Sequence, residues 1–187
     1  NIKKERKSIN NQKIKIKIFV ENNINEDLMN RMHFFYEQHC LRWGVWGSKY
    51  LTNNFFKNCL KTKENLILFS AFEESSIKPI AMSMCVKNKE NLWGRYWGSL
   101  KEINYLHFEL CYYQPIEWAI KNKIKYFDPG AGGQHKRRRG FYAKDTNSFH
   151  KWFNNSMENI IVQWLDKVNK ETLNEIEDEN NSIPFKK

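Results

Sequence analysis

The chain has 187 residues, 41% of them hydrophobic and 15% aromatic, enough to bury the core of one ordinary domain without disulfides or metals. That composition excludes a disordered chain, and no apolar run approaches the roughly 18 residues a membrane-spanning helix needs. A balance of 31 Lys and Arg against 21 Asp and Glu gives a formal charge of +10, which suits phosphates, anionic headgroups or acidic substrates without choosing among them.

Residues 1–12, NIKKERKSINNQ, read as a basic linker or frayed arm. Residues 13–21 alternate Lys with Ile, the period-two pattern of a half-exposed strand. From Asn25, an expected N-cap, Leu28, Met32, Phe35 and His39 recur at helical spacing. A short helix over 52–63, capped by Thr52 or Asn53, should follow. Segments 65–73, 78–88 and 91–99 have the length and tight connections of an antiparallel meander. A long helix is expected over about 104–122, kinked or restarted at Pro115, and 123–130 should form a fifth strand. Residues 147–153 suit a sixth strand or a docking loop. A final helix should run from about Ser156 to Val168, and 169–187 read as an acidic, disordered tail. This order gives an α/β fold with a mixed, mostly antiparallel sheet flanked by helices.

Cys40, Cys59, Cys85 and Cys111 lack CxxC or finger spacing, so no metal site is expected and buried thiols in a reducing compartment are. The basic N-terminus has no apolar segment behind it in the manner of a signal peptide. The expectation is a soluble, cytoplasmic protein, and the start at Asn1 suggests a part of something longer.

Three clusters carry chemistry. In WGRYWGSL (93–100), glycines flank Arg95, Tyr96 and Trp97 at a strand end; Arg95 offers a planar fork for a carboxylate or phosphate, the alternative being aromatic packing with a surface arginine. In YLHFELCYYQ (105–114), an ideal helix puts His107, Cys111 and Gln114 on one face and Glu109 and Tyr113 on another. His107 with Cys111 admits a nucleophilic pair, although a buried thiol beside a core histidine is commoner. Glu109 among aromatics would have a raised pKa suited to a general base, or would simply stabilise a helix start. In DPGAGGQHKRRRGF (128–141), Asp128 ends a strand and Gly130, Gly132 and Gly133 form a loop whose amides could cradle an anion. His135, Lys136 and Arg139 add charge there, whereas Arg137 and Arg138 are expected to face water. The loop is not a Walker loop, since the G-x-x-x-x-G-K-[S/T] frame is missing, and an ordinary surface turn is the competing reading.

The run from GRYWG through LHFELCYYQ and DPGAGGQHK to RGF, with WGVWGSKYLTNNFF upstream, closely resembles the FemAB-like family of peptidoglycan biosynthesis/recognition proteins over roughly residues 25–155. The resemblance implies a GNAT-like (acyl-CoA N-acyltransferase) fold over 13–168, in which a splay between the fourth and fifth strands admits the acyl donor. It further implies that this is the C-terminal half of a protein whose N-terminal half is also GNAT-like. Among the matching positions are Arg95, Tyr96, His107, Glu109, Tyr113, Gln114, Asp128, Gly130, Gly133, His135, Lys136 and Arg139. The chain departs from the family pattern at Gly132, Gln134 and Pro115, where Gln, Glu and Gly are usual. The segment WGSLKEIN also lacks the glycine frame with which acetyl-CoA enzymes of this superfamily hold pyrophosphate.

The resemblance implies an acyl- or aminoacyl-transferase acting on an amine acceptor, with an aminoacyl-tRNA or an acyl-CoA as donor and a peptidoglycan-related precursor as a possible acceptor class. Glu109 or His107 would be the base; Arg95, Lys136 and Arg139 would anchor phosphate or carboxylate. The alternative is a non-catalytic module that recognises a phosphate-bearing cell-wall precursor or RNA. A third reading is a structural half, which an exposed apolar face within 14–60 would favour.

Overall fold

The Lys–Ile alternation forms β1 (Ile14–Val20), at the edge of a five-stranded sheet. The computed structural model, which describes residues 1–47 and 49–184, continues with β2 (Leu66–Glu73), β3 (Ala81–Lys87), β4 (Asn91–Ser99) and β5 (Tyr126–Asp128), laid side by side in chain order. The first four are antiparallel, as their short connections predict, and β5 joins β4 in parallel. The sheet belongs to a first unit, Asn1–Gly130; a second unit begins at Ala131.

One face of the sheet is covered by α2 (Glu26–Arg42) and α3 (Asn53–Asn58). Met29, Met32, Phe35 and Phe56 pack there on Leu66, Leu68, Met82 and Met84. The Asn25 side chain caps α2 by accepting from the Leu28 amide at 3.0 Å. Asn25→Ala is therefore expected to lower stability by about 1 kcal/mol in urea unfolding, and an unchanged midpoint would remove that role. The helix expected over 52–63 is α-helical only to Asn58; Cys59–Asn65 is a 3-10 segment interrupted at Thr62. Gly98 allows β4 and α2 to meet, because a Cβ there would stand 2.0 Å from the Phe35 carbonyl oxygen.

The other face buries Ile67, Phe69, Ala81, Cys85 and Leu92 under Leu106, Leu110 and Ala119. Burial pushes the Cys85 thiol up to about 12, so it packs as a neutral apolar group. The covering element does restart near Pro115: α4 (Leu106–Phe108) passes into a π turn (Glu109–Tyr113), and α5 (Gln114–Lys121) begins with the proline in its first turn, where a missing N–H is tolerated. The Ser83 hydroxyl donates to the Leu110 carbonyl at 2.7 Å and ties this element to β3.

Two expectations at the chain ends are corrected. Residues 1–12 do not form a linker: Ile2–Asn11 is helix α1, whose Ile9 is buried in the same core. The expected disordered tail is helical as far as Asn181, because α6 (Asn155–Asn181) continues past Val168, with Lys170, Glu171, Leu173, Glu175, Glu177 and Glu179 as its good helix formers. Residues 185–187 of that tail lie outside the described residues. Residues 147–153 are irregular and form no strand. Within the second unit, Ala143 and the Asn180 side chain exchange two hydrogen bonds, of 2.7 and 2.9 Å, and no α6 residue is buried.

Candidate functional site

β5 pairs with β4 only over Asn91–Trp93. Beyond Trp93 that edge of β4 has no strand partner among the described residues, although Gly94 still lies against the Pro129–Gly130 backbone. A bulge marks where the pairing ends: Cys85 lies opposite Gly94 and Met84 opposite Tyr96, which leaves Arg95 as the extra, exposed residue. Bulges re-aim side chains in this way.

His107, half-buried, sits at the same end of β4. Its ring lies 5.0 Å from Trp97 and 5.3 Å from Tyr112. The file of rings continues from Trp97 to His39 at 6.5 Å, and the Trp43 indole N–H donates to His39 Nε2 at 3.4 Å. Burial, then the nearby Arg42 charge, holds His39 below its ordinary pKa, which fits a neutral ring accepting that bond. Tyr96 points to the opposite face, as strand alternation requires. It packs 5.5 Å from Tyr36 and 5.7 Å from Phe56, and burial raises its pKa. The structure therefore separates Tyr96 from His107, although they are neighbours in the sequence motifs.

Glu109 has a different environment from the aromatic one expected. It is 3% exposed and is held by Arg6 of α1, with Nε 3.3 Å from Oε2 and Nη2 3.1 Å from Oε1. Gln114 Nε2 donates to Oε1 at 2.7 Å. The π turn explains this partner. It shifts the register by one residue, so contacts fall at i,i+5 (His107 with Tyr112, Glu109 with Gln114) rather than at the i,i+4 spacing of an ideal helix. Arg6 also forks onto Glu117 and holds that carboxyl below its ordinary value, while the Tyr113 hydroxyl donates to Glu5. The reading of residues 1–12 as an arm hides Arg6, which only the helix α1 turns towards Glu109. The Ile2–Arg6–Ile9 spacing was the available sign of a helix with one side turned inward.

The DPGAGGQHKRRRGF motif divides between the two units. In the first, Asp128 Oδ1 accepts the Gly130 amide at 2.8 Å, an Asx turn that occupies one of the amides expected to cradle an anion. In the second, Gly133 has φ +92 and a Cβ there would lie 2.6 Å from the His135 ring, so glycine lets the ring fold back on the loop. Lys136 Nζ donates to the Ala131 carbonyl at 2.9 Å and Arg139 Nη1 to the His135 carbonyl at 2.8 Å. Burial, then Arg139 and Lys136, holds His135 below its ordinary pKa. Gly132, at φ +68, is exposed. Arg138 faces water as expected, but Arg137 is half-buried and donates to Ser182 Oγ at 2.9 Å.

Solved structures share this architecture. A possible acetyltransferase from Clostridium difficile 630 is 13% identical with a TM-score of 0.50, covering 75% of this chain and 98% of its own. An aminoglycoside acetyltransferase from an uncultured soil metagenomic sample, in complex with sisomicin, is 9% identical with a TM-score of 0.51, covering 78% and 98%. At such identities the likeness establishes the fold, which is GNAT-like. No helix among the described residues is long and apolar enough to cross a membrane. No curated protein matches the chain. The family model described as FemAB-like, peptidoglycan biosynthesis/recognition, matches residues 1–187, beyond the 25–155 over which motifs were recognised, and the chain belongs to that family.

Proposed function

We propose that the chain is an acyl- or aminoacyl-transferase that moves an activated acyl group onto an amine of a peptidoglycan-related precursor. The observation that carries this reading is the edge of β4 left without a strand partner beyond Gly94, with the His107 ring against Trp97 of the same strand. An amine attacking an ester or thioester carbonyl forms the new C–N bond and places negative charge on the carbonyl oxygen. Backbone amides on the open edge would hold that oxygen. His107 would take the amine proton and return it to the leaving oxygen or sulfur as the C–O or C–S bond breaks. Arg95, exposed at the bulge, would anchor a phosphate or carboxylate.

Glu109, Tyr113 and Gln114 enter this proposal as supports of the π turn, because each is engaged with α1 or with another of the three. In the second unit, His135, Lys136 and Arg139, with Gly132 and Gly133, would bind phosphate on their own loop. An aminoacyl-tRNA is the favoured donor, since Leu100–Tyr105 lacks a glycine-framed pyrophosphate loop and the +10 chain suits a polyanion. Leu41, Trp43, Val45, Trp46 and Tyr50 are 62–96% exposed, the apolar face within 14–60 that favours the structural-half reading, and a further GNAT-like half would be its cover.

The test is mass spectrometry of a nucleotide-linked sugar–peptide precursor incubated with the full chain and either aminoacyl-tRNA or acyl-CoA. A mass gain of one aminoacyl group with the tRNA donor is expected. Transfer from acyl-CoA alone would overturn the donor, and saturable binding without transfer would favour the recognition module.

A further inference from the structure

A cavity of about 600 Å³ lies between α1, β1 and the start of the π turn, and none of the rings packed on His107 lines it. Its volume is that of a small-molecule site. Lys3, Arg6, Lys7 and Asn10 line it from α1, at the 3-, 4- and 7-residue spacings that share one helix face. Ile14 and Ile16, two apart on β1, supply an apolar floor with the buried Ile9. Glu109 and Gln114 close the remaining wall.

The charges in this cavity do not cancel. Arg6 is matched by Glu109 and Glu117, whereas Lys3 and Lys7 form no ion pair among the described residues. Two ammonium groups with the Asn10 amide thus present donors and a double positive charge above an apolar surface. We propose that this cavity binds an organic phosphate: a dianionic head between Lys3 and Lys7, its carbon stem lying on Ile14 and Ile16. The head is that of a phosphate monoester or diphosphate, carried by a soluble metabolite or by a lipid. The site is distinct from the open edge of β4 and does not depend on transfer taking place there. Through Glu109 its ligand would touch the π turn that directly follows His107 in the chain.

The experiment is calorimetric titration of the full chain with n-hexyl phosphate and with inorganic phosphate, beside flotation with phosphatidylcholine vesicles containing or lacking phosphatidic acid. Hexyl phosphate should bind roughly tenfold tighter than inorganic phosphate, the gain expected from about two methylenes on the floor. Lys3→Gln/Lys7→Gln should weaken it by at least about tenfold without moving the thermal midpoint, because both lysines are exposed. Capture by phosphatidic acid vesicles that the double variant loses would assign the lipid source. Hexyl phosphate binding without capture would assign the soluble one. No binding of hexyl phosphate, or equal binding by the double variant, would overturn the site; neither result bears on transfer.

Discussion

Arg6→Ala is expected to destabilise the protein by about 2 kcal/mol, a large effect for a residue in a segment that reads as a linker. The loss comes from what remains behind. Glu109, whose side chain is 5% exposed, would lose both guanidinium contacts, with only Gln114 among its present donors to offset the charge. Breaking a fully buried pair costs about 3–5 kcal/mol; the lower figure applies because the Arg6 side chain is 32% exposed. Adding Glu109→Gln to Arg6→Ala should recover part of the loss, since the second change removes the stranded charge. Urea unfolding of the two single variants and the double variant measures this directly, and strictly additive losses would contradict coupling.

The same pairing fixes a pH dependence. Arg6 holds Glu117 below its ordinary 4.5, so the unfolded chain binds that proton more readily than the folded one. The resulting stabilisation is complete above about pH 5 and is lost as pH falls through the folded value. Arg6→Ala should flatten this acid limb in denaturation curves recorded from pH 3 to pH 6. An unchanged slope would show that the pair contributes nothing there.

Much of the sheet was legible because its signals are local. Lys–Ile alternation in β1, short connections through β2 to β4, and the Asn25 cap each act within a few residues. Pro115 likewise announced a break in the long helix. The kind of break was not legible: an α-helix and a π turn share apolar spacing over so few residues, yet the register shift decides that Glu109 meets Gln114. The Arg6–Glu109 pair spans 103 positions, and no local pattern reports so distant a partner. At the other end, composition suggested disorder, but Glu and Lys favour helix as readily as they favour water, and α6 runs to Asn181. Of the site residues, Arg95 and His107 stand near the open edge of β4, while strand alternation turns Tyr96 away.

The central claim is that His107, and not Glu109, handles the proton in acyl transfer. The direct test compares single-turnover transfer from aminoacyl-tRNA to an amine acceptor by the unaltered chain, His107→Gln and Glu109→Gln, with folding checked by circular dichroism. His107→Gln should lose roughly 10²–10⁴-fold in rate while keeping its fold, the usual contribution of a positioned base. Glu109→Gln, which still hydrogen-bonds within the π turn, should lose less than about tenfold. A His107→Gln chain as fast as the unaltered one, or a collapse confined to Glu109→Gln, would contradict the account.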